Sequence, residues 1–231
     1  MAFAAFKASK VLLTVGTMLV SMWVYSLFWG WRFAGGFVLL ILIHEMGHYI
    51  AARQKGLNVG APTFIPFVGA WIQLKETPMN VETESYVAFA GPIAGTLGAL
   101  ACYFAGGYFG NDLLLALAYA GFIINLLNLI PVSPLDGGQI TAILSPRIWL
   151  LGAPLLLVLF YYQRSPLLIL IAIIAAPQLM RAFRYDPKAP ENSAYYGTAL
   201  QTKLAYGALY LGLAASLAVL SYDTHNMIGV R

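Results

Sequence analysis

Seven apolar runs divide the 231-residue chain, near positions 9–30, 34–52, 84–106, 112–131, 148–162, 166–183 and 203–222. Most approach the roughly 20 residues that a helix needs to cross a bilayer. The fifth is short and is expected to tilt, re-enter or merge with residues 138–146. The pattern predicts an all-α polytopic membrane protein with six or seven transmembrane helices. One stretch departs from it. Residues 57–78 mix β-branched and aromatic positions with Gly60, Pro62, Pro66 and Gly69, which reads as short strands with a turn, a β-hairpin or re-entrant segment. Irregular backbone at membrane depth is tolerated only where protein or a water-filled cavity satisfies it. That places the segment against a buried site; a loop covering the bilayer edge is the alternative.

Composition agrees with this pattern. The chain is 60% hydrophobic and 10% charged, with a mean hydropathy of +0.75, whereas soluble domains carry about 25% charged residues. The net charge of +4 is not a nucleic-acid signal, because its placement follows the spans. With the N-terminus in the cytoplasm, Lys7, Lys10, Arg53, Lys55, Lys75, Arg147, Arg181, Arg184, Lys188 and Lys203 fall inside, and only Arg32, Arg164 and Arg231 outside. This obeys the positive-inside rule. The first apolar run is longer than a signal-peptide core and no small-residue cleavage site follows it, so a retained span is expected. No repeat or long polar segment divides the chain. Residues 1–231 read as one membrane domain, with a motif-bearing core at about 34–140 and further spans over 148–222.

The chemistry concentrates at His44-Glu45-Met46-Gly47-His48, at the end of an apolar run. Two imidazoles four residues apart on a helix differ by about 40° in direction and about 6 Å in height. Both can reach one metal ion, with Glu45 beside them as a base for water. Ionisable groups inside a membrane helix each cost on the order of 2.5–3.5 kcal/mol, and a coordinated cation offsets that cost. The single cysteine, Cys102, excludes a multi-cysteine metal site. A catalytic zinc takes three protein ligands, so the third is an acidic residue or His225. Asp136 stands out among the acids: Pro131 and Pro134 cannot continue the preceding helix, and Gly137 and Gly138 permit a reversal. The alternative is an Asp-Gly-Gly turn whose aspartate caps the next helix. Asn125 and Asn128 are polar within a span; helix packing accounts for Asn125, while Asn128 is a candidate donor to an oxyanion. Gly91-Pro92-Ile93-Ala94-Gly95 forms a small-residue stripe suited to close helix packing, with Gly91 and Pro92 leaving room for a substrate backbone.

HEMGH on an apolar helix, a Gly-Pro-x-x-Gly helix and Asn-x-x-Pro-x-x-x-x-Asp-Gly together resemble the site-2 protease family of intramembrane zinc metalloproteases. The resemblance covers residues 44–137 and includes the Phe-Ile-Pro-Phe-Val-Gly-Ala segment. It implies one Zn2+ per chain held by His44, His48 and Asp136, with Glu45 as base and Asn128 holding the reacting carbonyl. It also implies substrate contacts at Phe67, Gly69, Ala70, Gly91 and Pro92. Many family members carry asparagine where this chain has Gly95. Many bacterial members carry a PDZ domain, for which this chain has no room, so a compact form is expected. The spans after 148 match nothing specific.

The function implied is hydrolysis of peptide bonds in or beside transmembrane segments of membrane proteins. The expected setting is a prokaryotic cell membrane, with the N-terminus and the active site towards the cytoplasm. A non-catalytic metal-binding scaffold that sequesters membrane segments is the rival. An intact Glu45 and an aspartate third ligand argue against it, because structural zinc sites are usually closed by four protein ligands. Oligomeric state is not set by the sequence.

Overall fold

A computed structural model of the chain describes residues 2–60, 62–66, 69–71 and 78–229. It is mostly helical. Among the described residues, four helices are long and apolar enough to cross a membrane: 12–54, 81–109, 166–183 and 200–229. The first, α1 (Ala2–Gln54), is a single helical run in name only, because Gly30 takes φ 77°, ψ 159°. On a straight helix Tyr25 and Phe37 would lie about 18 Å apart; their rings meet edge-on at 5.4 Å. The chain therefore doubles back at Gly30, a backbone position open to glycine at little cost. Two antiparallel arms result, clasped by Tyr25, Ala34, Val38 and Ile41, and they carry the first two apolar runs of the sequence.

After α1 come β1 (Thr63–Ile65) and β2 (Gly69–Trp71), which pair antiparallel with Phe64 opposite Ala70. The first arm of α1 fastens this pair. The Thr14 hydroxyl donates to the Pro62 carbonyl at 2.6 Å, and the Phe64 N–H donates to the Thr17 hydroxyl at 3.2 Å. Phe67, Lys75 and Arg231 lie outside the described residues.

Next follow α2 (Val81–Phe109) and α3 (Asp112–Asn128). Each is capped by an asparagine, Asn80 and Asn111, whose side chain accepts from the third backbone N–H, the usual remedy for orphaned helix-end donors. A short helix α4 (Asp136–Thr141) leads through a 3₁₀ turn to α5 (Trp149–Gln163) and α6 (Pro166–Phe183). Then α7 (Pro190–Tyr196) precedes the long α8 (Leu200–Gly229). Packing is centred where α2, α3 and α8 meet, on Ala99, Ala118, Phe122 and Leu217, all fully buried. Small residues dominate these crossings because lipid tails are as apolar as the side chains, so close van der Waals contact drives association.

The helices alternate in direction, so the molecule has two distinct ends. One end gathers Arg53, Lys55, Arg147, Arg181, Arg184, Lys188 and Lys203; the other receives Arg32 and Arg164. Trp29, Trp31, Tyr108, Tyr161 and Tyr162 are all more than half exposed at that second end, as interfacial aromatics are.

Between α3 and α4 the extended exit expected from Pro131 and Pro134 is not what forms. Residues 129–135 make consecutive tight turns, with Val132 N–H donating to the Ile130 carbonyl and Leu135 N–H to the Val132 carbonyl. Nor do Gly137 and Gly138 supply a reversal. Both are helical, and a Cβ on either would overlap the backbone of residues 129–133. They are glycines because α4 lies directly on the turn that precedes it.

Candidate metal centre

His44 and His48 occupy consecutive turns of the second arm of α1, about 15 and 9 Å below its end at Gln54 by helical rise. Their rings sit at 74°, with centroids 4.8 Å apart. Asp136, the first residue of α4, reaches across from the far side. Its carboxylate oxygens lie 3.1 Å from His44 Nε2 and 3.4 Å from His48 Nε2, and the two Nε2 atoms are 3.0 Å apart.

Protons decide what this cluster can hold. His48 Nδ1 is 2.8 Å from the Val87 carbonyl, which only accepts, so Nδ1 carries the proton. His44 Nδ1 is 2.8 Å from Asn125 Oδ1, and the Asn125 amide donates to the Gly121 carbonyl at 2.7 Å. That bond fixes the amide's orientation, so His44 Nδ1 is also the donor. In the neutral rings both Nε2 atoms are then bare lone pairs, and they converge with a carboxylate. Three acceptors face one point with no hydrogen between them. A cation satisfies all three, and His44, His48 and Asp136 are the one group among the described residues that could hold a metal ion. Two imidazoles and one carboxylate are a zinc donor set that leaves a fourth position open.

Each ligand is held by a packing device. Gly47 lets α1 cross α2 at the Ala90 carbonyl, which a Cβ would overlap. A Cβ at position 91 would occupy the space of the His48 ring, and one at 95 would displace the Asn125 amide. The glycine stripe therefore seats a candidate ligand and the support of another. Pro92, next to Gly91, is fully buried in the same helix turn. Around Asp136, Ser85 of α2 donates to the Gln139 carbonyl at 2.9 Å, and the Trp149 indole to the Gly138 carbonyl at 2.7 Å. Tyr210 of α8 donates to the Leu129 carbonyl at 2.5 Å. Trp149 of α5 and Tyr210 of α8 thus support the Asp136 segment from helices unmatched in the sequence.

Glu45 is 8% exposed, and no protein hydrogen bond engages its carboxylate among the described residues. Asn128, the last residue of α3, is half-buried less than one turn beyond Asn125. Gly69 and Ala70 lie on β2. His225 is near the end of α8 against Tyr119, with ring centroids 5.6 Å apart, at the opposite end of the bundle. Asn125 is the functional contact that sequence reading missed; its only signal was a buried amide on the same helix as Asn128.

Residues 32–112 match the family model described as Peptidase family M50. The matched segment is about a third of the chain. It contains His44, Glu45, His48, Gly91 and Gly95, and it ends before Asn125, Asn128 and Asp136. A zinc metalloprotease of Methanocaldococcus jannaschii is 30% identical over 128 residues, covering 53% of this chain and 37% of that protein. Rip3 of Mycobacterium tuberculosis, which carries a zinc metalloprotease designation, is 34% identical over 118 residues, covering 46% of this chain and 30% of Rip3. The chain thus spans about a third of the length of these curated relatives. A site-2 protease structure from M. jannaschii superposes with a TM-score of 0.48 at 21% identity, over 72% of this chain and 85% of that one.

Proposed function

We propose that this chain is an intramembrane zinc metalloprotease of the M50 type that hydrolyses peptide bonds in or next to transmembrane segments of membrane proteins. The observation that carries the proposal is the convergence of two proton-free imidazole nitrogens and one carboxylate at 3.0–3.4 Å, beside a glutamate with no hydrogen-bond partner among the described residues. A structural metal site needs no such glutamate.

The chemistry zinc supplies when held by His44, His48 and Asp136 is Lewis acidity, which polarises a carbonyl and acidifies water. Glu45 takes the proton from the attacking water and delivers it to the leaving amine. Asn128 holds the oxygen of the reacting carbonyl. A helical substrate hides its carbonyls in its own hydrogen bonds and has to unwind locally. The strand pair offers it an edge. The outer edge of β1 is already taken by Thr14 and Thr17, so pairing falls to β2 at Gly69 and Ala70, while contacts at Phe67, Gly91 and Pro92 rest on the family resemblance alone.

In this reading the chain is one membrane domain. It crosses the bilayer six or seven times through the two arms of α1, α2, α3, α5, α6 and α8. Its basic end, and with it the N-terminus and the metal centre, faces the cytoplasm of a prokaryotic cell. Glu45→Gln tests the assignment. The variant should keep one zinc per chain and lose cleavage of a transmembrane reporter by at least about a hundredfold, the low end of general-base contributions. Full cleavage by that variant refutes the role of Glu45; zinc-loaded wild type that cleaves nothing favours the scaffold reading.

A further inference from the structure

Away from the metal centre, at the basic end of the bundle, a cavity of about 690 Å³ opens between α6, α7 and the 3₁₀ turn before α5. We propose that it binds a phospholipid with an anionic headgroup, drawn from the surrounding leaflet.

Helix α6 makes the argument. Ile173, Ala176, Pro177 and Met180 line the cavity at spacings of three and four, and Arg181 and Arg184 continue the same stripe to the helix end. An (i, i+3, i+4) series lies on one face, so a single face passes from apolar to cationic over roughly 16 Å of helical rise. Ile173 and Met180 are 65% and 58% exposed within a candidate span, where the neighbouring medium is hydrocarbon. The arginines stand where that span ends, at headgroup level. Neither is ion-paired to a carboxylate among the described residues. The nearby acids are Asp186, whose Oδ1 accepts the Lys188 N–H, Glu84, whose carboxylate accepts from the Tyr195 hydroxyl at 2.7 Å, and the exposed Glu191.

The opposite wall is built rather than open. Tyr185 and Tyr196 meet edge-to-face at 5.3 Å, and the Arg147 guanidinium donates to the Tyr185 carbonyl at 3.1 Å. Trp149 lines the cavity and also donates to the Gly138 carbonyl, so an occupant borders a residue that supports the Asp136 helix. An acyl chain fits the apolar part of the stripe and a phosphate fits the arginines. A free phosphate would leave the apolar part unused, which is why the lipid is preferred.

Native mass spectrometry of the full chain from micelles holding equal phosphatidylglycerol and phosphatidylcholine tests this. Phosphatidylglycerol should be retained preferentially. Each arginine near an anionic lipid is worth about fivefold in affinity, so Arg181→Gln with Arg184→Gln should lower its retention about 25-fold and leave phosphatidylcholine unchanged. The matching lysine variants, which keep the charge, should retain the lipid. Ala176→Trp fills the apolar part under intact arginines and should also lower retention. Equal retention by wild type and the double glutamine variant overturns the proposal. So does indifference to Ala176→Trp, or complete displacement of the lipid by inorganic phosphate, either of which marks a simple anion site.

Discussion

Asn125 accepts the Nδ1 proton of His44 at 2.8 Å while its own amide is tied to the Gly121 carbonyl. An amide fixed at both ends sets the tautomer and orientation of the imidazole, and such outer partners typically govern metal affinity by 10- to 100-fold. Asn125→Ala should therefore weaken zinc binding by about that factor without removing a ligand. A chelator competition titration on the purified variant reads the change; an unaltered dissociation constant would show that His44 is oriented by something else.

Gly91 and Gly98 lie on the same helix and separate two effects. A Cβ at 91 collides with the His48 ring, whereas one at 98 meets Leu40 and Ile43 at 3.2–3.4 Å, side chains able to give slightly. Gly91→Ala should lose zinc and cleavage together, and Gly98→Ala should keep both within about twofold, the difference that a few tenths of a kcal/mol makes. Metal content by elemental analysis distinguishes them. Equal loss in the two variants would point to general packing damage.

How far the site was legible follows from locality. His44, Glu45 and His48 share one helix, so spacing alone relates them, and Asp136 was marked by two prolines that end the helix before it. Asn125 was not legible as a ligand support, because its relation to His44 depends on how α3 faces α1. Gly91 was visible as a small residue, but not that a histidine ring fills the space it leaves. The doubling back at Gly30 matched the break between two apolar runs. Gly137 and Gly138 misled, since glycine serves close approach as readily as a turn, and only the neighbouring backbone tells the two apart.

Trp149 and Tyr210 support the Asp136 segment from helices that carry no motif. Trp149→Phe keeps the aromatic bulk and removes one donor from the Gly138 carbonyl, which keeps the Ala142 N–H at 3.0 Å; a single lost hydrogen bond costs about 0.5–1.5 kcal/mol. The variant should melt earlier than wild type and release zinc faster to a chelator. Earlier melting with an unchanged release rate would assign the indole to stability alone.

Removing the metal tests whether the three ligands depend on it. Without a cation, two bare imidazole nitrogens and a carboxylate face one another, so chelator-treated protein should melt at a lower temperature. One equivalent of zinc should restore the wild-type value, because a ligand that binds only the folded state stabilises it. Magnesium, which prefers oxygen ligands in octahedral geometry, should not.

Zinc content measured per chain in purified wild type and Asp136→Ala bears on the whole account. One zinc in the wild type and less than about a tenth in the variant is the result expected when a three-ligand site loses its only charged donor. Equal zinc in the two proteins would contradict it, because the metal would then be held without the carboxylate that brings α4 to α1.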